Sequence, residues 1–498
     1  MTNIARKRRQ HLFDNGVAIG DINTAVKKDA DNNMSLEDAV LGHTITLSKL
    51  AEGNTKTKEN IIMRIDPVGG TSPSEGTIVC DQSEYDALAA DLLYVSDALR
   101  ILPQGLNHII LVYLAPGEYS LRIGDKAVVP LRSFTVDTTL ASSSSITINS
   151  RVFIGPCVSF IAEEFAEIES SRAGTISAYK YLTVASGTWV VDEHKGKFVE
   201  ILSGVNVTNI YPIVSNTTDR LFLTGKKTSG ACTFRIIDTT VDFVTAADYG
   251  TLVLSSLATT NYYNFYGISF NTPTSHKGSI SFATPSIIYY SKIINNYSTS
   301  FNHSGCRPWG SIIQQTTGSY ITLYECIIDT CYIYGILHAT YGLILITSGS
   351  RLYFFNLPVV EASGVVASPL ITLNKGSGIY EGNGCLLVGN GYCIGILAKE
   401  ETAYANLAQL AIQNCAVALK ADGTDLSAKD CGGETYNQST GNTIAFQAMN
   451  GGKIVTSGAP EKIYATTEIE IDGEVETYAE LTAHKAITGR YGSQIIGD

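Results

Sequence analysis

The hydrophobic positions near the start of the chain recur at the spacing of a coiled coil. Steps of four, three, four and three residues separate the seam positions Leu36, Val40, His43, Leu47 and Leu50. This is the spacing of a heptad repeat, and its register continues to Asn54, Thr57 and Ile61. Polar residues in the seam favour an oligomer over the alternative, a helix packed on its own domain. The pattern therefore predicts an oligomerisation segment.

A second helix is predicted over residues 83–101, because its apolar positions fall on one stripe. Those positions are Leu88, Leu92, Val95 and Leu99. Further along, the apolar run at 108–114 ends in Ala-Pro-Gly and is followed at once by Glu-Tyr-Ser-Leu. Because proline fixes φ and glycine supplies a positive φ, this junction predicts a sharp turn between two strands.

Beyond about residue 130, short runs of Val, Ile, Tyr and Thr alternate with Gly, Asn, Asp and Ser, which predicts many short strands. Three segments resemble one another, at 327–339, 387–399 and 411–421. Each joins two aliphatic runs through an Asx residue and a small or Cys position. The candidate turn residues Asp329, Asn356, Asn390 and Asn414 follow one another at spacings of 27, 34 and 24 residues. Such spacings are typical of stacked supersecondary units.

This composition predicts a mainly β protein built as a solenoid, a parallel β-helix with short strands and corner residues that tolerate the left-handed region. An array of antiparallel β-sandwiches is the alternative. Residues 177–225 depart from the pattern, since their alternating strands and short polar turns predict a small inserted antiparallel β-module. In residues 459–498, Asp472-Gly473 predicts a hairpin, which a short helix follows.

Composition narrows the class of protein. The 498 residues carry 35 Lys and Arg against 47 Asp and Glu, which argues against nucleic acid as a partner. The apolar runs are shorter than the ~18 residues needed to cross a bilayer, so no membrane insertion is expected. Ten Cys residues include no Cys-x-x-Cys pair, so we predict buried reduced thiols, no metal site and no cofactor. Without an export signal, the chain is expected to fold in a cytoplasm.

The sequence shows few of the residue patterns that are typical of catalytic sites. Glu325 and Asp329 point to one face of a strand, but four residues at ~3.3 Å each separate them by roughly 13 Å, which exceeds the ~5 to 9.5 Å of a glycosidase pair. A pair drawn from adjacent coils or subunits, for example with Glu361 or Glu381, stays open. There is no Gly-x-Ser-x-Gly nucleophile elbow. His338 lies in an aliphatic run, which is typical of a packed core residue.

Tyrosine is the enriched residue type with a functional meaning, because it occurs 27 times in the chain and 12 of these residues lie between residues 262 and 355. Residues 295–310 combine aromatic, basic and small polar side chains where no regular strand is expected. We predict a receptor-binding loop there, with the contact residues Tyr297, Phe301, His303, Arg307 and Trp309. The alternative is that Trp309 fills a gap between subunits.

Two stretches resemble a known family. Residues 95–121, "VSDALRILPQGLNHIILVYLAPGEYSL", resemble the start of pectin-lyase-like right-handed β-helices, especially those of bacteriophage tail spikes and tail fibres. Residues 189–223 resemble a small β-module that accompanies such solenoids. The resemblance implies that the helix before the Leu-Pro step caps the apolar end of the solenoid.

The same resemblance implies a division of the chain and a role. Residues 1–66 would form an attachment arm and coiled coil, 67–101 a linker and capping helix, 102–458 the β-helix shaft, and 459–498 a C-terminal segment. The protein would be a virion tail component, assembled in the host cytoplasm, that binds host surface carbohydrate or protein. Its N-terminal region would contact other tail or baseplate proteins. The alternatives are a polysaccharide depolymerase, either hydrolase or lyase, and a structural tail or baseplate protein without its own ligand.

The heptad spacing and the family resemblance together predict a homotrimer. Three solenoids side by side would also cover outward aromatic side chains that a monomer leaves exposed. Light scattering of the full chain should give about three times the chain mass of 53.5 kDa. A stable monomer at micromolar concentration would contradict this expectation.

Overall fold

The structure is a computed structural model, and it describes most of the chain beyond residue 55. The described residues are 56–120, 128–131, 134–136, 145–148, 151–177, 181–244, 251–256, 263–272, 279–282, 285–295, 298–301, 306–316, 320–347, 349–380, 384–407, 410–431, 439–459, 463–489 and 491–497. The predicted seam residues Leu36, Val40, His43, Leu47 and Leu50 lie outside them. The extension of that helical register to Ile61 is wrong, because Ile61 begins a strand whose backbone pairs with another strand.

The described residues divide into two units. One is drawn from Met1–Ala115 and Arg132–Ser159, and the other from Pro116–Leu131 and Phe160–Asp498. In chain order the first elements are β1 Ile61–Ile65, α1 Gln82–Asp86, α2 Val95–Ile101, β2 Gly105–Leu106, β3 Ile110–Leu114, β4 Gly117–Ser120, β5 Val128–Leu131, β6 Thr135–Val136, β7 Ser145–Ile148, β8 Arg151–Ile154 and β9 Val158–Ala162. In the first unit, β1 and β3 pair in parallel. The predicted Pro-Gly turn is confirmed, since β3 ends at Leu114 and β4 begins at Gly117, where φ is 152°.

The single helix predicted over residues 83–101 is instead two short helices, α1 and α2. Between them Ala89 has a φ of 57°, which ends helical geometry. The backbone of Leu92 then bonds to a neighbouring segment, because its N–H donates to Arg64 and its carbonyl accepts from Asp66. Tertiary backbone pairing therefore overrides the helical pattern here. Leu92 and Leu99 are nonetheless buried, as the apolar stripe predicts.

An inserted module forms a closed six-stranded antiparallel sheet. Its strands are β10 Phe165–Ser177, β11 Tyr181–Thr183, β12 Phe198–Gly204, β13 Ile210–Asn216, β14 Arg220–Leu223 and β15 Gly230–Thr239, in the spatial order β10-β11-β14-β13-β12-β15. The sheet closes because β15 pairs with both β10 and β12. Its interior is filled by apolar side chains, including Trp189, Phe234 and Ile213. The module is longer than the segment 177–225 in which the sequence predicts antiparallel strands. Its longest strands are β10, which ends where that segment begins, and β15, which follows it.

The remaining strands form the shaft. They are β16 Val241–Val244, β17 Thr251–Ser256, β18 Tyr263–Tyr266, β19 Ile268–Asn271, β20 Ser279–Phe282, β21 Ser286–Tyr289, β22 Lys292–Asn295, β23 Ser298–Phe301, β24 Arg307–Trp309, β25 Ile312–Gln315, β26 Tyr320–Leu323, β27 Cys326–Asp329, β28 Tyr332–Ile336, β29 Ile344–Ile346, β30 Arg351–Phe355, β31 Val359–Ser363, β32 Pro369–Asn374, β33 Gly378–Ile379, β34 Cys385–Val388, β35 Ile394–Lys399, β36 Ala403–Asn406, β37 Leu410–Gln413, β38 Val417–Asp422, β39 Asp425–Cys431, β40 Ser439–Met449, β41 Lys453–Gly458 and β42 Ile463–Ile471.

Shaft strands pair in parallel with every third strand along the chain, which makes three sheets. Sheet 1 runs β18-β21-β24-β27-β30-β33-β36-β39-β41, sheet 2 runs β4-β16-β19-β22-β25-β28-β31-β34-β37, and sheet 3 runs β5-β17-β20-β23-β26-β29-β32-β35-β38-β40-β42. From β18 to β38, each coil contributes one strand to each sheet in turn. The chain is therefore mainly β with parallel sheets, as a β-solenoid requires. The antiparallel sandwich alternative is wrong for the shaft.

In four successive coils a single left-handed residue turns the chain from sheet 1 to sheet 2. Gly267, Tyr290, Gly310 and Thr330 have φ values of 70°, 46°, 56° and 57°. Their backbone N–H groups donate to the next coil, at the carbonyls of Tyr289, Trp309, Asp329 and Phe355, over 3.0, 3.0, 2.8 and 3.0 Å. These bonds compensate for the strain of positive φ at Tyr290 and Thr330.

The irregular Asx spacing has a geometric cause. Asp329 and Asn356 lie at the corner between sheets 1 and 2, whereas Asn390 and Asn414 lie at the corner between sheets 2 and 3. The 34-residue step crosses from one corner type to the other, and the 27- and 24-residue steps stay within one type. Asn356 and Asn414 adopt φ of 53° and 56°, and the Asn390 side chain accepts from two backbone N–H groups of its own turn. Those three turn predictions are confirmed. Of the three resembling segments, 387–399 and 411–421 occupy the same corner in successive coils, whereas 327–339 occupies the corner between sheets 1 and 2.

Like side chains stack inside the shaft from coil to coil. Phe282 and Phe301 lie with ring centroids 5.2 Å apart and an interplanar angle of 7°. Ser291 and Ser311 follow the left-handed corner residue in successive coils, and the Ser291 N–H donates to the Ser311 hydroxyl. Cys393 and Cys415 bring their sulfurs to 3.7 Å at the other corner. Nine Cys residues of the described chain are buried thiols, as predicted.

The last described residues continue the shaft. They form β43 Glu474–Glu476, α3 Tyr478–His484, β44 Ala486–Thr488 and β45 Gln494–Gly497. The predicted hairpin is confirmed, because β42 pairs with β43 across Asp472 and Gly473, both with positive φ. The predicted short helix is α3, which begins with a capping box between Thr477 and Glu480. Strand β45 then extends sheet 1 by pairing with β41.

The corner geometry predicts unequal costs for two glycine substitutions. At Gly310 an added Cβ would lie 2.6 Å from the Tyr290 ring, whereas at Gly349 it would meet nothing within 4 Å. Both residues have positive φ, so Gly349→Ala should cost about 1 kcal/mol through backbone strain alone. Gly310→Ala should cost about 2 kcal/mol more, because the tyrosine ring must move. Equal unfolding free energies in chemical denaturation would contradict this packing of the corner.

Candidate functional site

The structure places the predicted receptor-binding residues in different surroundings. Tyr297 and His303 lie outside the described residues. Phe301 ends strand β23 and is fully buried, so its ring packs in the shaft interior and is not on a surface loop. Arg307 and Trp309 belong to strand β24, which pairs with β21. The expectation of a loop without regular strands is therefore wrong for these residues, because they continue the parallel stack.

Arg307 is held by a carboxylate that the shaft buries. Its guanidinium donates to Asp329, whose side chain is only 1% exposed. Asp329 also accepts from the Thr330 hydroxyl and the Asn356 amide, each at 2.9 Å. The guanidinium lies 4.5 Å from the ring centroid of Trp309, within cation–π distance. One carboxylate thus links three successive coils at the corner and orients Arg307 beside the indole.

Aromatic side chains continue along the outer side of sheet 1. Trp309 lies 5.9 Å from Tyr289. Farther along the shaft, Tyr380 lies 6.1 Å from Tyr353 and 5.1 Å from Tyr404, measured between ring centroids. These neighbours belong to successive coils, because β30 pairs with β33 and β33 with β36.

Gly378 makes room for this row. A Cβ at that position would lie 3.1 Å from both the Tyr380 ring and the Tyr404 Cβ. The exposed Arg351 completes the row, since its guanidinium lies 5.0 Å from the Tyr380 centroid. We define the aromatic face as Tyr289, Arg307, Trp309, Arg351, Tyr353, Phe355, Tyr380 and Tyr404. Most of its rings are half-buried, so each presents part of its surface to solvent.

Sequence reasoning missed Arg351, Tyr380 and Tyr404. A signal was present for Tyr380, which follows Tyr353 by 27 residues, the step that separates Asp329 from Asn356. Tyr404 gave no such signal, because it follows Tyr380 by 24 residues while its coil spans 26. The prediction that His338 packs in the core is also wrong. His338 lies in a tight turn, where its Nδ1 accepts from the N–H groups of Thr340 and Tyr341 and its ring stacks on Tyr341 at 5.2 Å.

Of the carboxylates considered for catalysis, Glu325, Asp329 and Glu361 are described, and Glu381 lies outside the described residues. Asp329 is committed to the buried contacts with Arg307, Thr330 and Asn356. Glu325 is exposed just before strand β27, with a φ of 44°. Within the described residues, no three His, Cys, Asp or Glu side chains come together as ligands for a metal ion. None of the helices in the described part of the chain has the length and apolar character to span a bilayer.

No protein-family model matches this chain, and comparison with curated proteins finds no similar sequence. The chemistry of the aromatic face must therefore be judged from its own residues. Half-buried rings present flat apolar surface, while the guanidinium and phenol groups beside them donate hydrogen bonds. This combination suits a ligand that has both apolar faces and hydroxyl or acidic groups.

The two arginines of the aromatic face should differ in their effect on stability. Arg307→Ala leaves the Asp329 carboxylate buried without its cation, so we expect a loss of about 3 kcal/mol in unfolding free energy. Arg351→Ala, at an exposed site, should change it by less than about 0.5 kcal/mol. Denaturant unfolding of both variants measures the difference. The double variant Arg307→Ala with Asp329→Asn should regain part of the loss, and an unchanged stability of Arg307→Ala would refute the buried pair.

Proposed function

We propose that this protein is a host-attachment component of a bacteriophage tail, a trimeric spike or fibre whose shaft is a right-handed parallel β-helix. The parallel three-sheet shaft and the inserted antiparallel module support this proposal. The resemblance of residues 95–121 and 189–223 to tail spike solenoids supports it as well. In this role the protein binds carbohydrate on the host surface.

The observation that carries the proposal is the row of tyrosines across successive coils. Tyr353, Tyr380 and Tyr404 repeat along the shaft with centroids 5 to 6 Å apart, at 6.1 and 5.1 Å. Sugar rings have apolar faces that pack on aromatic rings, and their hydroxyls accept hydrogen bonds from groups such as the Arg351 guanidinium. A row of this kind matches an extended chain of sugars better than a single compact ligand.

Binding without cleavage is the favoured activity. Hydrolysis of a glycosidic bond needs two carboxyl groups about 5 to 9.5 Å apart on either side of that bond. At the aromatic face the Asp329 carboxylate is buried and paired with Arg307. A depolymerase would need carboxylates from elsewhere, so attachment is the function that these residues support.

The competing role for the aromatic face is an interface between subunits. Half-buried tyrosines are also suited to subunit contacts, and a trimer would cover some outer faces of the shaft. The two roles predict different consequences for the same substitution. Loss of a ring from an interface lowers the oligomer mass, whereas loss from a glycan site leaves the mass intact and weakens binding.

The test is an array of bacterial capsular and O-antigen polysaccharides probed with the full-length protein. Tyr380→Ala and Tyr404→Ala should each weaken binding to the recognised polysaccharide by about tenfold, which corresponds to one lost stacking contact. The control is Tyr464→Ala, because Tyr464 is 50% exposed on sheet 3, outside the aromatic face. Full binding by both tyrosine variants, or a fall in mass by light scattering, would contradict the glycan role of this face.

A further inference from the structure

A groove lies where the inserted module meets the outer side of sheet 2. Its volume is about 240 Å³. The module side is formed by Ser215, Phe222 and Leu223, and the shaft side by Leu386 and Val388. Because Leu386 and Val388 point outward from strand β34 and are half-buried, the shaft side is apolar and accessible.

The groove is preformed, because the turn after β14 is fixed to the shaft. The Thr224 hydroxyl donates to the Thr330 carbonyl at 2.6 Å, and the Gly225 N–H donates to the Leu357 carbonyl at 3.0 Å. Lys227 is buried within this turn, and its ammonium donates to the carbonyls of residues 223, 224 and 225. Burial lowers the pKa of Lys227 to about 7. The turn is thus fixed by the hydrogen bonds from Lys227 to the carbonyls of the turn and by the two hydrogen bonds to the shaft.

One carboxylate supplies the polar chemistry of the groove. Glu361 on strand β31 lines it, with a side chain that is 23% exposed. The Lys195 ammonium of the module donates to Glu361 Oε1 at 2.9 Å, and the Tyr332 hydroxyl donates to Oε2. Burial and the neighbouring Glu361 charge raise the pKa of Tyr332, so its hydroxyl stays protonated and donates. Each carboxylate oxygen keeps a further lone pair to accept another donor.

The charges set the class of ligand. The positive charge of Lys195 neutralises the negative charge of Glu361, so the pair attracts a further cation only weakly. An anionic ligand would be repelled by the Glu361 carboxylate, which lines the groove. Apolar walls favour a ligand with an apolar face, and the carboxylate favours hydroxyl donors. The volume is somewhat below the roughly 300 Å³ at which pockets for drug-sized ligands begin, so one ring is the appropriate size.

We propose that this groove binds a single neutral sugar unit, with its apolar face against Phe222 and Leu386 and its hydroxyls donating to Glu361. The site lies on sheet 2, apart from the aromatic face of sheet 1. The choice of ligand class rests on the proposed glycan-binding function. In that role the groove recognises one residue or branch of the glycan, whereas the aromatic face follows the length of its chain.

The test is saturation-transfer NMR of the full-length protein with monosaccharides. The neutral probes are D-glucose, D-galactose, L-rhamnose and N-acetyl-D-glucosamine, and the charged probes are D-glucuronate and D-glucosamine. We expect at least one neutral sugar to bind with a Kd on the order of 1 mM, as weak single-ring contacts give. Val388→Trp and Ser215→Trp, which fill the groove from opposite sides, should each weaken it by at least about tenfold.

The control is Val365→Trp, which adds the same ring at a position that is 79% exposed and does not line the groove. Two filling variants are used because one of them can fail to fold, which thermal unfolding reveals. The proposal is overturned if no neutral sugar binds, if binding survives in a folded filling variant, or if the charged sugars bind as well as the neutral ones. Failure of the polysaccharide array with intact monosaccharide binding would remove only the role of the aromatic face.

Discussion

The shaft depends on the backbone hydrogen bonds that each coil exchanges with the next. Within the strands these bonds are parallel ladders, and at the corner between sheets 1 and 2 they continue through residues in the left-handed region. The corner N–H groups of Gly267, Tyr290, Gly310 and Thr330 each reach a carbonyl of the following coil. Because the bonding does not stop at the corner, the coils stay in register, and a left-handed tyrosine or threonine is tolerated there.

Strict register decides what lies on the outside. Since each residue of a coil lies beside its partner in the next, side chains on one face of a sheet align from coil to coil. Tyr353 and Tyr380 are aligned in this way, because each follows the paired residues Leu352 and Ile379. Tyr404 is paired with Gly378, whose missing side chain lets the Tyr404 ring approach Tyr380 diagonally. The same register brings Arg307, Asp329 and Asn356 together from three coils. The aromatic face is therefore a consequence of coil stacking.

The parallel stack of coils also accommodates the inserted antiparallel module. Strand β4 pairs directly with β16 and β5 with β17, although the whole antiparallel module lies between β5 and β16 in the sequence. The module closes its own sheet, so it brings no open edge to the shaft. Its polar contacts with the shaft include Lys195 to Glu361 on sheet 2, and Thr224 to Thr330 at the corner between sheets 1 and 2. Such an arrangement leaves a groove at its border.

Local pattern in the sequence determined the β class, the Pro-Gly turn after β3, the hairpin at Asp472-Gly473 and the left-handed turns at Asn356 and Asn414, because each of these follows from the φ preferences of a few adjacent residues. Tertiary structure decided the rest. Leu92 is not helical, because its backbone hydrogen-bonds to Arg64 and Asp66. Phe301 is buried in the shaft interior, because strand β23 pairs in parallel with its neighbours. The aromatic face and the groove combine residues from coils or modules that are far apart in sequence. Their proximity is set by coil length and register. Coil length varies from 19 residues between Ser279 and Ser298 to 28 between Thr251 and Ser279, and the conformational preferences of adjacent residues do not encode it.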